Sequence, residues 1–286
     1  MRTAWKDDIV TITKTTVSGR SLRDFCALAF GLSWLFWIPV ALSGQHAAST
    51  VWAIPYLLGG FGPSVAGIIM TCRNAGRARC RAFWSRVVGF GRISLGWYLF
   101  IVLVFPATFG LSILLSVLLG QPPAGFLQVG RIAANPLALI GIVIIGIVAG
   151  PLSEELGWRG YALDWLQARW NPIIASLILG LIWWAWHLPL FFIVGTTHYT
   201  WGLGTAEFWL FLVGVVPLSV LMTWVYNANE RSILAAILLH FTYNFTLGLA
   251  YPLPAQTLSI QVVLMFVVAA GVVLGIRPPP RGADPR

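Results

Sequence analysis

About eight apolar runs, separated by short polar connections, set the pattern of this chain. Each run is about 20 residues long, which is the length that an α-helix needs to cross the hydrocarbon core of a bilayer. The pattern therefore predicts an all-α, polytopic transmembrane helix bundle. The predicted spans are 25–42, 51–72, 97–119, 136–152, 172–194, 207–226, 232–251 and 258–276.

Composition supports a chain that is almost entirely embedded in lipid. Of its 286 residues, 58% are hydrophobic and only 9% are charged, whereas a soluble domain carries about 25% charged residues. The prediction is one membrane domain, 25–276, with a polar N-terminal segment, 1–24, and a short tail, 277–286. The odd number of scattered cysteines argues against a disulfide framework, and each is predicted to be structural: Cys26, Cys72 and Cys80.

The positive charges predict an orientation. Of the 18 lysines and arginines, all but Arg131 fall in the two termini and in connections that lie on the same side of the predicted bundle. The positive-inside rule then places both termini in the cytoplasm. The net charge of +9 is read as a topology signal and a contact for anionic lipid, and no nucleic-acid partner is expected. The basic connection 73–92 is either an amphipathic surface helix or a solvated loop.

Ionisable groups inside the spans are the first candidates for function, because burying a charge in a bilayer is costly. Glu154 and Glu155 lie at the cytoplasmic end of the fourth span. Glu155 and Arg159 stand four positions apart and would face each other on a helix. Each residue turns a helix by about 100°, so Glu154 points elsewhere. The spacing predicts a structural ion pair beside a second carboxylate that faces a cavity.

Two histidines fall within later spans. His187 precedes Pro189 in the fifth span, and Pro189 cannot donate to the carbonyl of Ala185, which predicts a kink there. His240 and Asn244 stand four positions apart in the seventh span, so both can face one cavity. The other histidines and Glu207 are predicted to lie at the outer surface, with the histidines solvated: His46 and His198.

Six side chains can thus meet in the interior, where they suit the activation of water: Glu154, Glu155, Arg159, His187, His240 and Asn244. A poorly solvated carboxylate is a competent general base, and histidines and an amide can orient water or stabilise an oxyanion. Glu154 is the predicted base, helped by His187, with His240 and Asn244 holding the water or the oxyanion. Arg159 either pairs with Glu155 or binds a substrate carboxylate.

Two other interpretations of these residues remain open. Glu154, His187 and His240 meet the ligand count of an open zinc site, although no His-Glu-x-x-His motif is present. Neither histidine has a recognisable partner that would orient it as a metal ligand, which favours a glutamate acting without a tightly bound metal. The structural alternative is that these polar groups only join helices by hydrogen bonds.

The three clusters resemble the motifs of the CAAX-protease and bacteriocin-processing (CPBP, or Abi) family of intramembrane endopeptidases. That family shows Glu-Glu-x-x-x-Arg, an aromatic residue four positions before a histidine, and His-x-x-x-Asn. The matching segments are Glu154-Glu155-x-x-x-Arg159, Trp183-x-x-x-His187 and His240-x-x-x-Asn244, in the family's order. The family usually has Phe where this chain has Trp183, and the family-like core is 136–251.

The resemblance implies an eight-helix bundle that cleaves a membrane-associated peptide or protein, similar to type II CAAX prenyl endopeptidases. It also implies a multi-pass cell-membrane protein, since prokaryotic members are tied to bacteriocin maturation, self-immunity or peptide signalling. One alternative is a non-catalytic membrane partner or bacteriocin-immunity protein of the same fold. A small transporter is disfavoured, because the commonest transporter designs show internal repeats and none is visible here.

Overall fold

A computed structural model of the chain describes residues 20–275. The predicted tail 277–286 and residues 1–19 of the predicted N-terminal segment lie outside the described residues. Within 20–275 the regular secondary structure is helical, without a strand. The helices are α1 (Arg20–Ser43), α2 (Ala53–Gly60), α3 (Gly62–Arg73), α4 (Asn74–Val87), α5 (Leu95–Leu118), α6 (Leu127–Ala134), α7 (Ala138–Gln167), α8 (Pro172–Trp186), α9 (Thr197–Trp201), α10 (Ala206–Ala228), α11 (Ile233–Ala250) and α12 (Ala255–Val273).

The count of membrane spans follows the hydrophobic pattern. Seven helices in the described part of the chain are long and apolar enough to cross a membrane, and an eighth span results if α2 and α3, which are inclined by 45°, are taken as one. The all-α polytopic bundle predicted from the sequence is therefore confirmed. The cytoplasmic location of the termini stays a prediction.

One span is longer than the sequence predicts. The fourth apolar run was expected to end at residue 152, but α7 continues to Gln167. The segment beyond residue 152 carries the charged residues of the first motif, which lower its hydropathy. The helix continues because those side chains find partners on distant helices, and a pattern of local hydropathy contains no sign of such partners.

The middle of α7, Ser153–Gly157, lies directly against α3. A Cβ atom built on Gly157 would approach the carbonyl oxygen of Pro63 to 2.1 Å, and one built on Gly67 would approach the carbonyl oxygen of Leu156 to 2.6 Å. Only glycine fits where two helix backbones come this close. Wide π-type turns precede and follow this segment, and such turns are frequent at functional sites.

A polar network joins α4, α7 and α10 at the end of the bundle that carries the arginine-rich connections. The Arg86 guanidinium donates to Asp164 Oδ2 (2.8 Å), to the Tyr226 hydroxyl and to the carbonyl of Arg231 (2.9 Å). The Tyr226 hydroxyl donates to Asp164 Oδ1 at 2.6 Å. Arg231 lies 3.5 Å from the same carboxylate. We call Arg86, Asp164, Tyr226 and Arg231 the basic-face cluster, and the end of the bundle where they lie the basic face.

The basic connection 73–92 forms a packed helix. It contains α4, and the Phe83 side chain of α4 is buried against Gly160 of α7. Where α3 passes into α4, Cys72 and Cys80 form a disulfide with Cα atoms 4.6 Å apart. The odd number of cysteines was therefore misleading as an argument against disulfides, because Cys72 and Cys80 pair. Eight positions along a straight helix span about 12 Å, so the chain turns back between the two cysteines, and the sequence pattern does not indicate that turn.

Candidate active site

The two neighbouring glutamates of α7 point in different directions, as their spacing predicts. Both are buried. Glu154 Oε2 accepts a hydrogen bond of 2.6 Å from the indole Nε1 of Trp183, on α8. Glu154 also lines a cavity inside the bundle, and Glu155 does not. The carboxylate that faces the cavity is therefore held by a single indole N–H.

Glu155 is the centre of a fully buried ion network. Arg159 Nη1 lies 3.0 Å from both carboxylate oxygens of Glu155, which is the predicted pair four positions apart. His240 Nδ1, on α11, lies 2.8 Å from Glu155 Oε1. We call Glu155, Arg159 and His240 the inner ion cluster. It joins α7 to α11, because one carboxylate contacts both a residue of its own helix and one 85 positions later.

Arg159 lies behind the wall of the cavity. Its guanidinium carbon is 4.8 Å from the centroid of the Trp183 ring, a cation–π arrangement that suits a desolvated arginine. Its Nε and Nη2 atoms have no hydrogen-bond partner within the described residues. Arg159 does not line the cavity, so its position favours a structural role over direct binding of a substrate carboxylate.

The end of α8 places His187. The α-helix stops at Trp186, and a 3₁₀ turn that contains Pro189 follows, so the kink predicted at Pro189 is a helix end. The carbonyl of Trp186 accepts from the indole of Trp34 at 3.1 Å, and the Trp186 indole donates to Ser33 Oγ at 2.7 Å. Both bonds tie this helix end to α1 and so hold the neighbouring His187 in place.

Hydrogen bonds define the state of both histidine rings. His187 Nδ1 lies 2.8 Å from the carbonyl oxygen of Trp183. A carbonyl only accepts, so Nδ1 carries the proton and Nε2 of the neutral ring keeps its lone pair. His240 Nδ1 faces the Glu155 carboxylate in the same way. In both rings Nε2 is thus the nitrogen available to water or substrate.

A cavity of about 340 Å³ brings four of the six candidates together. Glu154, His187, His240 and Asn244 all line it, on three different helices. Asn244 lies one turn beyond His240 on α11. Its Nδ2 atom is 3.3 Å from the position that a Cβ on Gly150 would take, so the amide lies at the contact between α7 and α11. A carboxylate, two imidazoles and an amide therefore surround one space.

Comparison with known proteins points to one family. The family model described as "Type II CAAX prenyl endopeptidase Rce1-like" matches residues 136–246. The chain is also 28% identical over 249 residues to the protein named CAAX prenyl protease 2 of Methanococcus maripaludis, and the alignment covers 86% of this chain and 90% of that protein. In the segment that carries its three motifs, the chain is similar to the CAAX-protease, CPBP-type family. It is therefore a multi-pass membrane peptidase.

The segment that matches the CAAX-protease model contains all six candidate residues, from α7 to α11. The structure divides them into two groups that the linear motif does not separate. Four line the cavity, and Glu155 with Arg159 lies behind its wall. Trp183 links the groups, because its indole donates to Glu154 while its ring covers the Arg159 guanidinium. The sequence marked Trp183 only as an aromatic residue and did not indicate the hydrogen bond.

Two residues assigned to the outer surface belong to the cavity. His198 and Glu207 both line it, and the His198 ring stacks on His187 with centroids 5.3 Å apart. Burial, and to a lesser degree His187, lowers the pKa of His198 well below its usual value, so this ring is neutral. The expectation of a solvated His198 is wrong, because the connection after α8 folds back over the cavity. His46 is exposed, as expected.

The described residues do not assemble the zinc site considered from the sequence. No three His, Cys, Asp or Glu side chains between residues 20 and 275 are grouped closely enough to hold a metal, and this includes Glu154, His187 and His240. The expectation that neither histidine has an orienting partner is nevertheless wrong. Both histidines do have orienting partners, namely the Trp183 carbonyl and Glu155. The present arrangement of these side chains does not fit a metal.

Proposed function

We propose that this protein is a glutamate-dependent intramembrane endopeptidase, in which Glu154 activates the water that cleaves a peptide bond. The observation that supports this proposal most is the contrast between the surroundings of two neighbouring carboxylates on α7. Glu155 has a cationic partner at 3.0 Å, whereas Glu154 faces the cavity with only an indole N–H. A carboxylate that lacks a cationic partner keeps more of its basicity.

The first step is proton transfer from water to Glu154. The water donates one hydrogen to the Glu154 carboxylate and can donate the other to the lone pair of His187 Nε2. Holding the water between two acceptors orients its oxygen towards the scissile carbonyl carbon. As the oxygen attacks, Glu154 takes the proton, and a tetrahedral intermediate with a negative oxygen forms.

The second step needs hydrogen-bond donors and a proton for the leaving group. The Asn244 amide supplies N–H groups from α11 for the oxyanion. His240, whose Nδ1 is held by Glu155, presents Nε2 to the same space and can accept a hydrogen bond from the attacking water. As the intermediate collapses, the C–N bond breaks, and Glu154 returns its proton to the leaving nitrogen. The products are a carboxylic acid and an amine, and the enzyme is unchanged.

We propose a membrane-associated peptide or protein as substrate and the cell membrane as location. The cavity lies within apolar spans, so a substrate reaches it most readily when it is already concentrated at the bilayer. The relative from Methanococcus maripaludis is named CAAX prenyl protease 2, and a prenylated CAAX protein is therefore one of the substrates to be tested. A non-catalytic partner of the same fold remains the second candidate, and it would not need Glu154.

The test is a comparison of membrane peptidomes from cells that carry the wild-type protein or the Glu154→Gln variant. Glutamine keeps the size of the side chain but cannot take a proton, so cleaved fragments should disappear while the protein accumulates normally. Glu230→Gln is the matched control, because Glu230 is an exposed acid outside the cavity. Identical peptidomes for wild type and Glu154→Gln would favour the non-catalytic partner.

A further inference from the structure

The candidate active site is richer in hydrogen-bond acceptors than in donors. The Glu154 carboxylate accepts, and the neutral rings of His187 and His240 keep a lone pair on the Nε2 atom that is available to the cavity. The Asn244 amide is the donor named so far. Peptide hydrolysis creates a negative oxygen that sites of this kind commonly hold with two donors. A second donor is therefore expected in the wall of the same cavity.

Most donors in the cavity wall already have an acceptor. The Thr196 hydroxyl donates to the carbonyl of Leu190 at 2.8 Å, and the Gln261 amide donates to the Thr108 hydroxyl at 3.0 Å. The unpaired Nε2 atom of His198 is closed off by neighbouring aromatic rings. Three indole N–H groups are also used within the fold, those of Trp37, Trp183 and Trp186. These groups are therefore poor candidates for binding an oxyanion.

Tyr56, in the first turn of α2, carries a donor that the fold leaves unused. It lines the cavity, and its hydroxyl is neither paired nor sealed off within the described residues. Tyr243 also lines the cavity, but its ring packs against Phe105 and Phe109 of α5, with centroids 5.1 and 5.7 Å away. The other unused donors in the wall lie beyond the ends of the long helices: Thr197, Trp201 and Tyr251. Tyr56 is therefore the strongest candidate for the second donor.

The helices of Tyr56 and Asn244 both meet α7 within one turn of the base. Gly60 lies one turn beyond Tyr56, and a Cβ atom built on Gly60 would be 3.6 Å from the Oγ atom of Ser153, the residue before the base. A Cβ atom built on Gly150 would be 3.3 Å from Asn244 Nδ2. Two donors from two different helices can thus converge on one carbonyl oxygen beside the base.

The indole of Trp37 holds α2 in place. It donates to the carbonyl of Tyr56 at 2.9 Å, and it packs so closely over Gly59 that a Cβ atom there would approach it to 2.3 Å. The Trp37 ring also packs on Trp186 at the end of α8, with centroids 4.6 Å apart. The Glu154 carboxylate lies close enough to act electrostatically on the Tyr56 hydroxyl. The phenol is therefore carried on a fixed backbone near the base.

We propose that Tyr56 is a further catalytic residue, whose hydroxyl donates a hydrogen bond to the oxyanion of the tetrahedral intermediate beside the Asn244 amide. The phenol keeps its proton, and no covalent bond to it forms or breaks. The bond strengthens as the carbonyl oxygen gains negative charge, so it stabilises the transition state more than the bound substrate. This inference rests on the proposed function, because it assigns a role in the same hydrolysis.

Tyr56→Phe tests this role, because it removes the hydroxyl and keeps the ring. Purified protein in detergent is offered a panel of quenched fluorogenic peptides with a lipid anchor, farnesylated CAAX peptides included. We expect kcat to fall about 10²-fold, with KM and the thermal midpoint close to wild type. Tyr199→Phe is the matched control, because Tyr199 is exposed and lies outside the cavity. Wild-type kcat in folded Tyr56→Phe would overturn the proposal and leave the endopeptidase standing.

A second measurement needs no turnover. A phosphinic peptide, in which a tetrahedral anionic phosphorus group replaces the scissile amide, and the matching amide peptide are titrated into Glu154→Gln protein with and without Tyr56→Phe. Loss of the hydroxyl should weaken binding of the phosphinic peptide about tenfold or more and leave the amide peptide unchanged. Equal binding of the phosphinic peptide by both proteins, or binding by neither, would overturn the proposal. If the wild type cleaves no peptide but this loss is seen, the proposed function falls and Tyr56 remains an anion-binding residue.

Discussion

The inner ion cluster and the basic-face cluster place the same kinds of groups at two depths of one helix. Each has a carboxylate of α7 at its centre, Glu155 in the first and Asp164 in the second, and each carboxylate contacts an arginine. The side chains of Glu155 and Arg159 are fully buried. In the basic-face cluster the charged side chains retain 17–36% of their exposure.

The difference in burial assigns the two clusters different tasks. A buried charge that loses its partner cannot be solvated, so removing one charged group of the inner ion cluster should strongly destabilise the fold. A partly exposed charge can turn to water, so the basic-face cluster contributes modestly to stability. The inner ion cluster therefore defines the position of His240 and of the cavity wall. The basic-face cluster holds α4 against the bundle.

The largest expected effect comes from Arg159→Ala. Removing the guanidinium leaves the Glu155 carboxylate buried with only His240, which should cost about 3–5 kcal/mol of folding stability. The yield and the thermal midpoint in detergent should fall, together with cleavage. A double variant, Glu155→Gln with Arg159→Met, removes both charges and should recover part of the stability without recovering activity. An unchanged midpoint with weaker peptide affinity alone would instead make Arg159 a substrate-binding residue.

Asp164→Asn tests the contribution of the basic-face cluster to stability. The amide keeps the shape of the side chain but removes the charge that Arg86 and Arg231 share. Stability should fall by about 1 kcal/mol, because these groups are partly solvated, and cleavage per folded molecule should stay at the wild-type level. Glu230→Gln, at the exposed pair with Arg92, is the control and should change stability by less than about 0.5 kcal/mol. A loss as large as that of Arg159→Ala would mean that depth does not separate the clusters.

Trp183→Phe asks how much the single hydrogen bond to Glu154 contributes. Phenylalanine keeps an aromatic ring beside Arg159 but cannot donate to the carboxylate. We expect kcat/KM to fall about tenfold, the equivalent of about 1.4 kcal/mol, with little change in stability. Trp184→Phe is the matched control, because the neighbouring indole has no hydrogen-bond partner in the described structure. Equal effects of the two variants would show that only ring size matters.

The sequence predicted the membrane bundle well because hydrophobic length is a local property. It failed where partners come from far along the chain. The extension of α7 past residue 152 depends on Asp164 meeting Arg86, 78 positions earlier, and Tyr226, 62 positions later. An arginine or an aspartate that is considered without its distant partner looks like a loop residue, so the local pattern ends the span too early.

In the candidate site, too, contacts between residues close in the sequence could be predicted and contacts between distant residues could not. Glu155 and Arg159 are four positions apart on one helix, so their contact could be predicted from spacing. The His240 contact to Glu155 crosses 85 positions, and only the order of the family motifs pointed to it. Nothing near His198 or Glu207 in the sequence marks either residue as part of the cavity, because a folded connection between two spans brings them there.

The central claim is that Glu154 takes the proton from water, and the most direct measurement is peptide cleavage by purified Glu154→Gln beside wild type and Glu230→Gln. General base catalysis contributes about 10²–10⁴-fold. We predict a loss of that size for Glu154→Gln, with the same thermal midpoint as wild type and full activity in Glu230→Gln. A folded Glu154→Gln protein that cleaves the peptide at the wild-type rate would contradict the account.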